Sequence, residues 1–149
     1  MKAHVAVANL VATWFGCGLS PIAPGTLGAL GALPLFVVLA PLGDLAYWSI
    51  VIALSALGIW AAQVVSVSRN EKDPQRVVID EVAGILIALG FVRERELVWQ
   101  LAALVAFRLL DIYKPGPIAS AERLPPHGFG IMADDLLAGL VAGLTLSLL

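Results

Sequence analysis

The chain has 149 residues, of which 60% are hydrophobic and 13% are charged, and its mean hydropathy is +0.92. Ordinary soluble domains are about 45–50% apolar, so this composition excludes a water-soluble monomer and indicates an integral membrane protein. A formal net charge of −2, without a basic stripe and interleaved aromatic residues, excludes a nucleic-acid-binding protein.

The apolar segments, taken in chain order, predict an all-α integral membrane helical bundle of about five to six short helices, forming a single domain over residues 1–149. The first segment, Val5 to Phe15, is short enough to lie in the membrane interface. Longer segments follow at residues 27–42, 45–68, 78–92, 97–113 and 131–149. Only residues 45–68 comfortably exceed the roughly 20 residues that a spanning helix needs, so partial helices and a re-entrant element remain alternatives for the others.

Turn-forming and polar residues separate these segments and place most of the charge on one side. If each of the five longer segments crosses once, one side holds six basic residues: Arg69, Lys72, Arg76, Arg108, Lys114 and Arg123. The other side holds Arg93 and Arg95. By the positive-inside rule the first side is cytoplasmic. Under this trace, the polar site also lies on the cytoplasmic side of the membrane.

Six ionisable residues lie inside or beside the apolar segments on that predicted side: Asp80, Glu81, Arg108, Asp111, Asp134 and Asp135. Such a residue costs roughly 2.5–3.5 kcal/mol at the centre of a membrane helix and marks a functional site by default. Five neighbouring carboxylates need compensating positive charge, and Arg108 and Lys114 supply too little of it. Oxygen ligands select a hard ion, Mg²⁺ or Mn²⁺. The sequence therefore predicts a magnesium site for a phosphorylated lipid headgroup.

The two acidic pairs are predicted in the first turns of helices. Asp80 and Glu81 start one helix, and Asp134 and Asp135 open the last one. Adjacent side chains on a helix diverge by about 100°, so one member of each pair faces the site while the other caps the helix or makes a supporting contact. Acids in a first turn are also commonly plain cap and dipole partners, and that alternative stays open.

Four stretches of the sequence resemble phosphatidylglycerophosphatase A, a family of bacterial membrane lipid phosphatases. They are residues 18–28, 80–84, 107–115 and 128–139, in the family's order and over most of the chain. The resemblance implies Mg²⁺-dependent hydrolysis of phosphatidylglycerophosphate to phosphatidylglycerol and inorganic phosphate, at the bacterial cytoplasmic (inner) membrane. The single cysteine, Cys17, departs from an expected small residue such as Ser, which it nearly matches in size.

In the predicted mechanism, five carboxylates hold one or two Mg²⁺ ions directly or through water: Asp80, Glu81, Asp111, Asp134 and Asp135. The metal activates a water for in-line attack on phosphorus. A covalent phospho-aspartate is the rival mechanism. A cation-binding small membrane transporter or channel is the alternative function, although its acids would be spread along a path instead of gathered on one side.

The remaining predicted roles concern the phosphate and the leaving group. Arg108 binds phosphate oxygens as a bidentate fork and Lys114 as a point charge. His127 protonates the departing glycerol oxygen. The loop before the first long apolar segment offers backbone N–H groups to the phosphate through Ser20, Gly25 and Thr26. Each role has an alternative. Arg108 and Asp111 form a structural ion pair within the bundle, and Lys114 extends to the lipid headgroups. His127 is a solvated loop residue.

Overall fold

A computed structural model describes residues 2–149, and every regular element in that range is a helix. The α-helices are α1 Lys2–Ala12, α2 Pro24–Gly31, α3 Leu33–Leu39, α4 Asp44–Arg69, α5 Ile79–Gly90, α6 Leu97–Tyr113, α7 Pro117–Ala121 and α8 His127–Ser147, with a 3₁₀ turn at Cys17–Leu19. Seven of these α-helices have seven or more residues. The all-α bundle is therefore confirmed, but its helices outnumber the predicted five to six.

Prolines account for the main differences from the predicted bounds. The apolar run at residues 27–42 is divided into α2 and α3, and Pro34, which has no N–H to donate, lies in the first turn of α3. The last helix begins at His127 instead of residue 131, directly after the extended backbone of Pro126. Asp134 and Asp135 therefore lie about two turns inside α8, so the prediction that they open the helix was wrong.

Helix α5 lies at the centre of the bundle, where it contacts α2, α4, α6 and α8. Its closest approach is to α8: a Cβ built on Gly139 would lie 2.1 Å from the carbonyl oxygen of Gly84. A Cβ on Gly84 would in turn lie 2.7 Å from the carbonyl oxygen of Asp135. The two helices thus meet backbone to backbone, as small residues allow in membrane proteins. This contact places Asp135 beside the first turns of α5.

Polar contacts also hold the opposite end of the bundle, where α4 begins and α5 ends. The Tyr47 hydroxyl donates to the Leu86 carbonyl oxygen at 2.6 Å. Arg93 donates from Nη1 to the Leu42 carbonyl oxygen at 2.8 Å, pairs with Asp44, and stacks its guanidinium 5.0 Å from the centre of the Tyr47 ring. Since the Arg93 side chain is buried, its charge is paired inside the protein and stabilises this end of the bundle.

Two helices, α4 and α8, are long and apolar enough to cross a membrane by length and composition. With 26 and 21 residues, they extend over roughly 39 and 32 Å at 1.5 Å per residue, against about 30 Å for the hydrocarbon core of a bilayer. Large apolar side chains such as Leu45 and Ile52 are 84% and 67% exposed. Extended apolar surface of this kind is typical of a membrane or partner contact.

Candidate active site

A polar cleft of about 480 Å³ opens where α2, α5, α6 and α8 come together. Its polar lining comprises Thr26 from α2, Asp73 and Gln75 from the loop before α5, Asp80 and Glu81 from α5, Arg108 and Asp111 from α6, Lys114, and Asp135 from α8. Most of the charged residues singled out in the sequence thus share one cavity, although they come from three separate helices, α5, α6 and α8, and from Lys114 just beyond α6.

Three carboxylates form the centre of this cleft. One oxygen from each of Asp80, Glu81 and Asp135 lies within 4.8 Å of the other two. Asp80 Oδ1 and Glu81 Oε2 are buried without a hydrogen-bond partner among the described residues. Buried carboxylates this close together repel one another and lose hydration, so the arrangement is costly without a compensating cation.

The donor atoms of this cluster fit Mg²⁺. All of them are carboxylate oxygens, which are hard ligands, and the described residues add no sulfur or imidazole to the group. Mg²⁺ is usually held through one or two carboxylates and completes its shell with water and substrate phosphate oxygens. The unpartnered oxygens of Asp80 and Glu81 are the atoms at which such an ion would replace missing hydrogen bonds.

Arg108 connects α6 to the two helices that flank it in the cleft. Its Nη1 forms an ion pair with Asp111, one turn further along α6, and lies 3.9 Å from Glu81 Oε1. Its Nη2 donates to Thr26 Oγ1 at 3.3 Å, and its Nε is buried without a partner. The guanidinium is therefore fixed in orientation while retaining donor capacity for an anion in the cleft.

Lys114 lies just beyond the end of α6 and pairs with Asp134, the first of the two acids of α8. Its Nζ donates to Asp134 and, at 3.2 Å, to Glu122. Burial lowers the pKa of Lys114, but the hydrogen bonds and charges of Asp134 and Glu122 outweigh burial and hold that pKa above its ordinary value. Lys114 therefore stays protonated. Asp134 is directed at Lys114, whereas its neighbour Asp135 belongs to the three-carboxylate cluster.

The first turn of α2 closes one side of the cleft. Pro24 occupies the start of the helix, where its missing N–H costs nothing, and Gly25 and Thr26 follow it. First-turn N–H groups have no intrahelical acceptor, so those of Gly25 and Thr26 are available to an anion. A Cβ on Gly25 would lie 2.0 Å from Glu81 Oε1. The backbone therefore approaches the acidic cluster so closely that any side chain at this position would displace the Glu81 carboxylate.

Three residues predicted in the site do not line this cleft: Asp134, which pairs with Lys114, and the two loop-region residues Ser20 and His127. Ser20 closes a local turn, its hydroxyl donating to the Ile22 carbonyl oxygen at 2.9 Å and accepting from the Ile22 N–H at 3.2 Å. His127 is exposed, and its Nδ1 lies 3.5 Å from Ser66 Oγ. The structure thus brings neither Ser20 nor His127 to the carboxylate cluster.

Three cleft or near-cleft residues were missed in the sequence: Asp73, Gln75 and Glu122. Asp73 and Gln75 line the cavity from the loop before α5, and Glu122 accepts from Lys114. Position in the sequence could have indicated Asp73, because it lies in the polar loop directly before Asp80 and Glu81, on the same predicted side of the membrane.

One family model and two relatives of this chain carry the same name. A family model described as Phosphatidylglycerophosphatase A matches residues 10–149. The chain is 35% identical over 134 residues to the phosphatidylglycerophosphatase A of Escherichia coli strain K12, covering 90% of this chain and 78% of that protein. It is 38% identical over 135 residues to the phosphatidylglycerophosphatase A of Haemophilus influenzae, covering 90% and 83%.

A third relative carries a different substrate in its name. The chain is 39% identical over 138 residues to a putative phosphatidylinositol-3-phosphatase of Bacteroides thetaiotaomicron, covering 88% of this chain and 86% of that protein. No solved structure matches the chain.

Proposed function

Because the chain belongs to the phosphatidylglycerophosphatase A family and is therefore a phosphatase, we propose that it hydrolyses phosphatidylglycerophosphate with Mg²⁺. The products are phosphatidylglycerol and inorganic phosphate. The observation that carries the proposal is the cluster of Asp80, Glu81 and Asp135 next to Arg108 in one cleft. This arrangement combines oxygen ligands for a divalent cation with a fixed fork for phosphate oxygens.

The carboxylates divide into two groups under this proposal. Asp80, Glu81 and Asp135 hold the ion, since their oxygens converge and two of the buried ones lack partners. Asp111 and Asp134, which the sequence also predicted as ligands, are engaged by Arg108 and Lys114 and position these basic groups. The second oxygen of Asp134, Oδ1, is also buried without a partner, but neither Asp134 nor Asp111 belongs to the three-carboxylate cluster.

When bound, Mg²⁺ supplies positive charge to the phosphomonoester and activates a water for in-line attack on phosphorus. The chain's own residues bind and orient the substrate. Arg108 contacts phosphate oxygens through its fork, Lys114 adds a fixed positive charge, and the first-turn N–H groups of α2 complete the anion site. The roles predicted for Ser20 and His127 stay predictions, as does the phospho-aspartate alternative.

Phosphate release by detergent-purified protein tests the proposal. Release from phosphatidylglycerophosphate should require Mg²⁺, fall to background with excess EDTA, and return when Mg²⁺ is restored. The Asp134→Asn variant should be impaired, because Lys114 loses the more buried of its two charged partners and keeps only Glu122. Undiminished release in EDTA would contradict the metal requirement.

Parallel assays with phosphatidylinositol 3-phosphate decide the substrate, and faster release from that lipid would contradict our assignment.

We also infer a multi-pass protein of the bacterial cytoplasmic membrane, with the cleft facing the cytoplasm. Support comes from the two long apolar helices and from the six basic residues predicted on the cleft side. In intact cells, an Arg123→Cys variant on a Cys17→Ser background should resist a membrane-impermeant maleimide and react after permeabilisation. Labelling before permeabilisation would reverse the orientation.

A further inference from the structure

An apolar groove of about 270 Å³ runs between α2 and α6 and opens from the rim of the polar cleft. Thr26, Arg108 and Ile112 line both cavities, so the two adjoin. Beyond these shared residues the groove is lined by apolar side chains, among them Leu30 of α2 and Val105 of α6.

The groove exists because α2 and α6 both pack against α5 without filling the space between them. Ala29, which is fully buried, contributes a small side chain at its base. Leu30 and Val105 are 42% and 58% exposed, so the walls are open toward the exterior. The groove is therefore accessible from outside the bundle and borders the cleft.

The direction of the groove matches the shape of a lipid. Along α6 its lining runs from Ile112, at the charged end, back to Leu104, which is roughly 12 Å at 1.5 Å per residue. Arg108, a phosphate-binding group under the proposed function, lies at the boundary between the polar and the apolar cavity. A lipid whose phosphate lies in the cleft would thus place a hydrocarbon chain in the groove.

We propose that this groove seats one acyl chain of the lipid whose phosphomonoester occupies the cleft, an inference that rests on the proposed function. A larger apolar groove of about 550 Å³, lined by residues such as Trp48 and Phe129 of α4 and α8, shares no lining residue with the cleft. The border that it shares with the polar cleft therefore selects the α2–α6 groove for the substrate.

Binding the acyl chain in the groove positions the lipid, and adds little hydrophobic free energy of binding. An acyl chain in a bilayer is already surrounded by hydrocarbon, so moving it into an apolar groove removes little apolar surface from water. The groove instead restricts the lipid to an orientation in which its phosphate meets Arg108 and the carboxylates. Its effect should appear as a preference for the intact lipid over the same headgroup without acyl chains.

A pair of Val→Trp variants on α6 tests this proposal. Val105 lines the groove, whereas Val98, seven residues earlier on the same helix face, does not. The two valines are 58% and 61% exposed, so they are matched in residue type and accessibility. The measured quantity is the ratio of kcat/KM for phosphatidylglycerophosphate to kcat/KM for its deacylated headgroup. V105W should lower this ratio about tenfold through misplacement of the lipid, and V98W should leave it within about twofold.

A second measurement uses the wild-type protein and does not depend on the variants folding. Phosphatidylglycerol with a diazirine on one acyl chain should crosslink to peptides that contain Leu30, Val105 or Leu109. Crosslinks confined to the α4–α8 groove, or equal ratios for V105W and V98W, would overturn the inference alone. Failure of wild-type protein to release phosphate from either substrate would instead remove the proposed function on which the inference rests.

Discussion

Replacing Asp80 with Asn should lower phosphate release from phosphatidylglycerophosphate by about 10²–10³-fold, the loss typical when one electrostatic partner of a transition state is removed. Asp80 supplies one of the three clustered oxygens, and its Oδ1 is buried without a partner. Asn keeps the size of the side chain but removes its charge, so the cluster holds Mg²⁺ less well. Initial rates across a Mg²⁺ titration measure the change.

The same variant should not be less stable than the wild type in EDTA. Neutralising Asp80 removes repulsion against Glu81 and Asp135, which lie close by in a buried environment. A thermal unfolding midpoint equal to or above that of the wild type, together with lost activity, identifies a functional carboxylate. Glu94→Gln is the control, because Glu94 is 85% exposed and pairs weakly with Arg93 at the opposite end. Wild-type activity in Asp80→Asn, or a comparable loss in Glu94→Gln, would contradict the assignment.

Replacing Gly25 with Ala should reduce activity by about 10²-fold, as displacement of a catalytic group by about an ångström commonly does. The added Cβ would lie 2.0 Å from Glu81 Oε1 and 3.4 Å from Arg108 Nη1. The Glu81 carboxylate is the end of a flexible side chain, so it moves away and the backbone stays in place. The variant should therefore lose rate while its unfolding midpoint changes little.

Gly43→Ala provides the matched control for Gly25→Ala. Gly43 precedes α4, has a φ of −62° that any residue adopts, and has no atom within 4 Å of an added Cβ. This variant should keep wild-type activity in the same phosphate-release assay. Full activity in Gly25→Ala would show that the close approach of α2 to Glu81 is not needed for catalysis.

Helices bounded by charged turns were predictable from the sequence. The predicted segment 97–113 coincides with α6, and segment 45–68 lies within α4. The start of α8 was not predictable, because Gly128 and Gly130 near its beginning are typical of a loop. Both glycines are required by close contacts with backbone outside α8: a Cβ on Gly128 would lie 2.5 Å from the backbone nitrogen of Gln63, and one on Gly130 would lie 2.5 Å from the Glu122 carbonyl oxygen.

The gathering of the acids was also predictable, because tracing the segments across the membrane places Asp80 and Asp135 on one side. Their individual partners were not. Because adjacent acids on a helix point about 100° apart, one member of each pair was predicted to face the site, and this was wrong for α5, where Asp80 and Glu81 both reach the cluster. Only the pair on α8 divides, through the packing of α5 against α8. Asp135 joins Asp80 and Glu81, whereas Asp134 is turned toward Lys114. Sequence spacing contains no information about such contacts between helices.

The short length of α5 relates the site to the thickness of the membrane. Its 12 residues extend over roughly 18 Å, well short of the roughly 30 Å hydrocarbon core that α4 is long enough to cross. Since α5 ends beside the start of α4, the proposed membrane arrangement puts Asp80, at the other end of this short helix, below the headgroup level. The lipid phosphate then has to descend to reach it. A thinner bilayer shortens that descent, so the composition of the surrounding lipids would itself tune the rate of phosphate release.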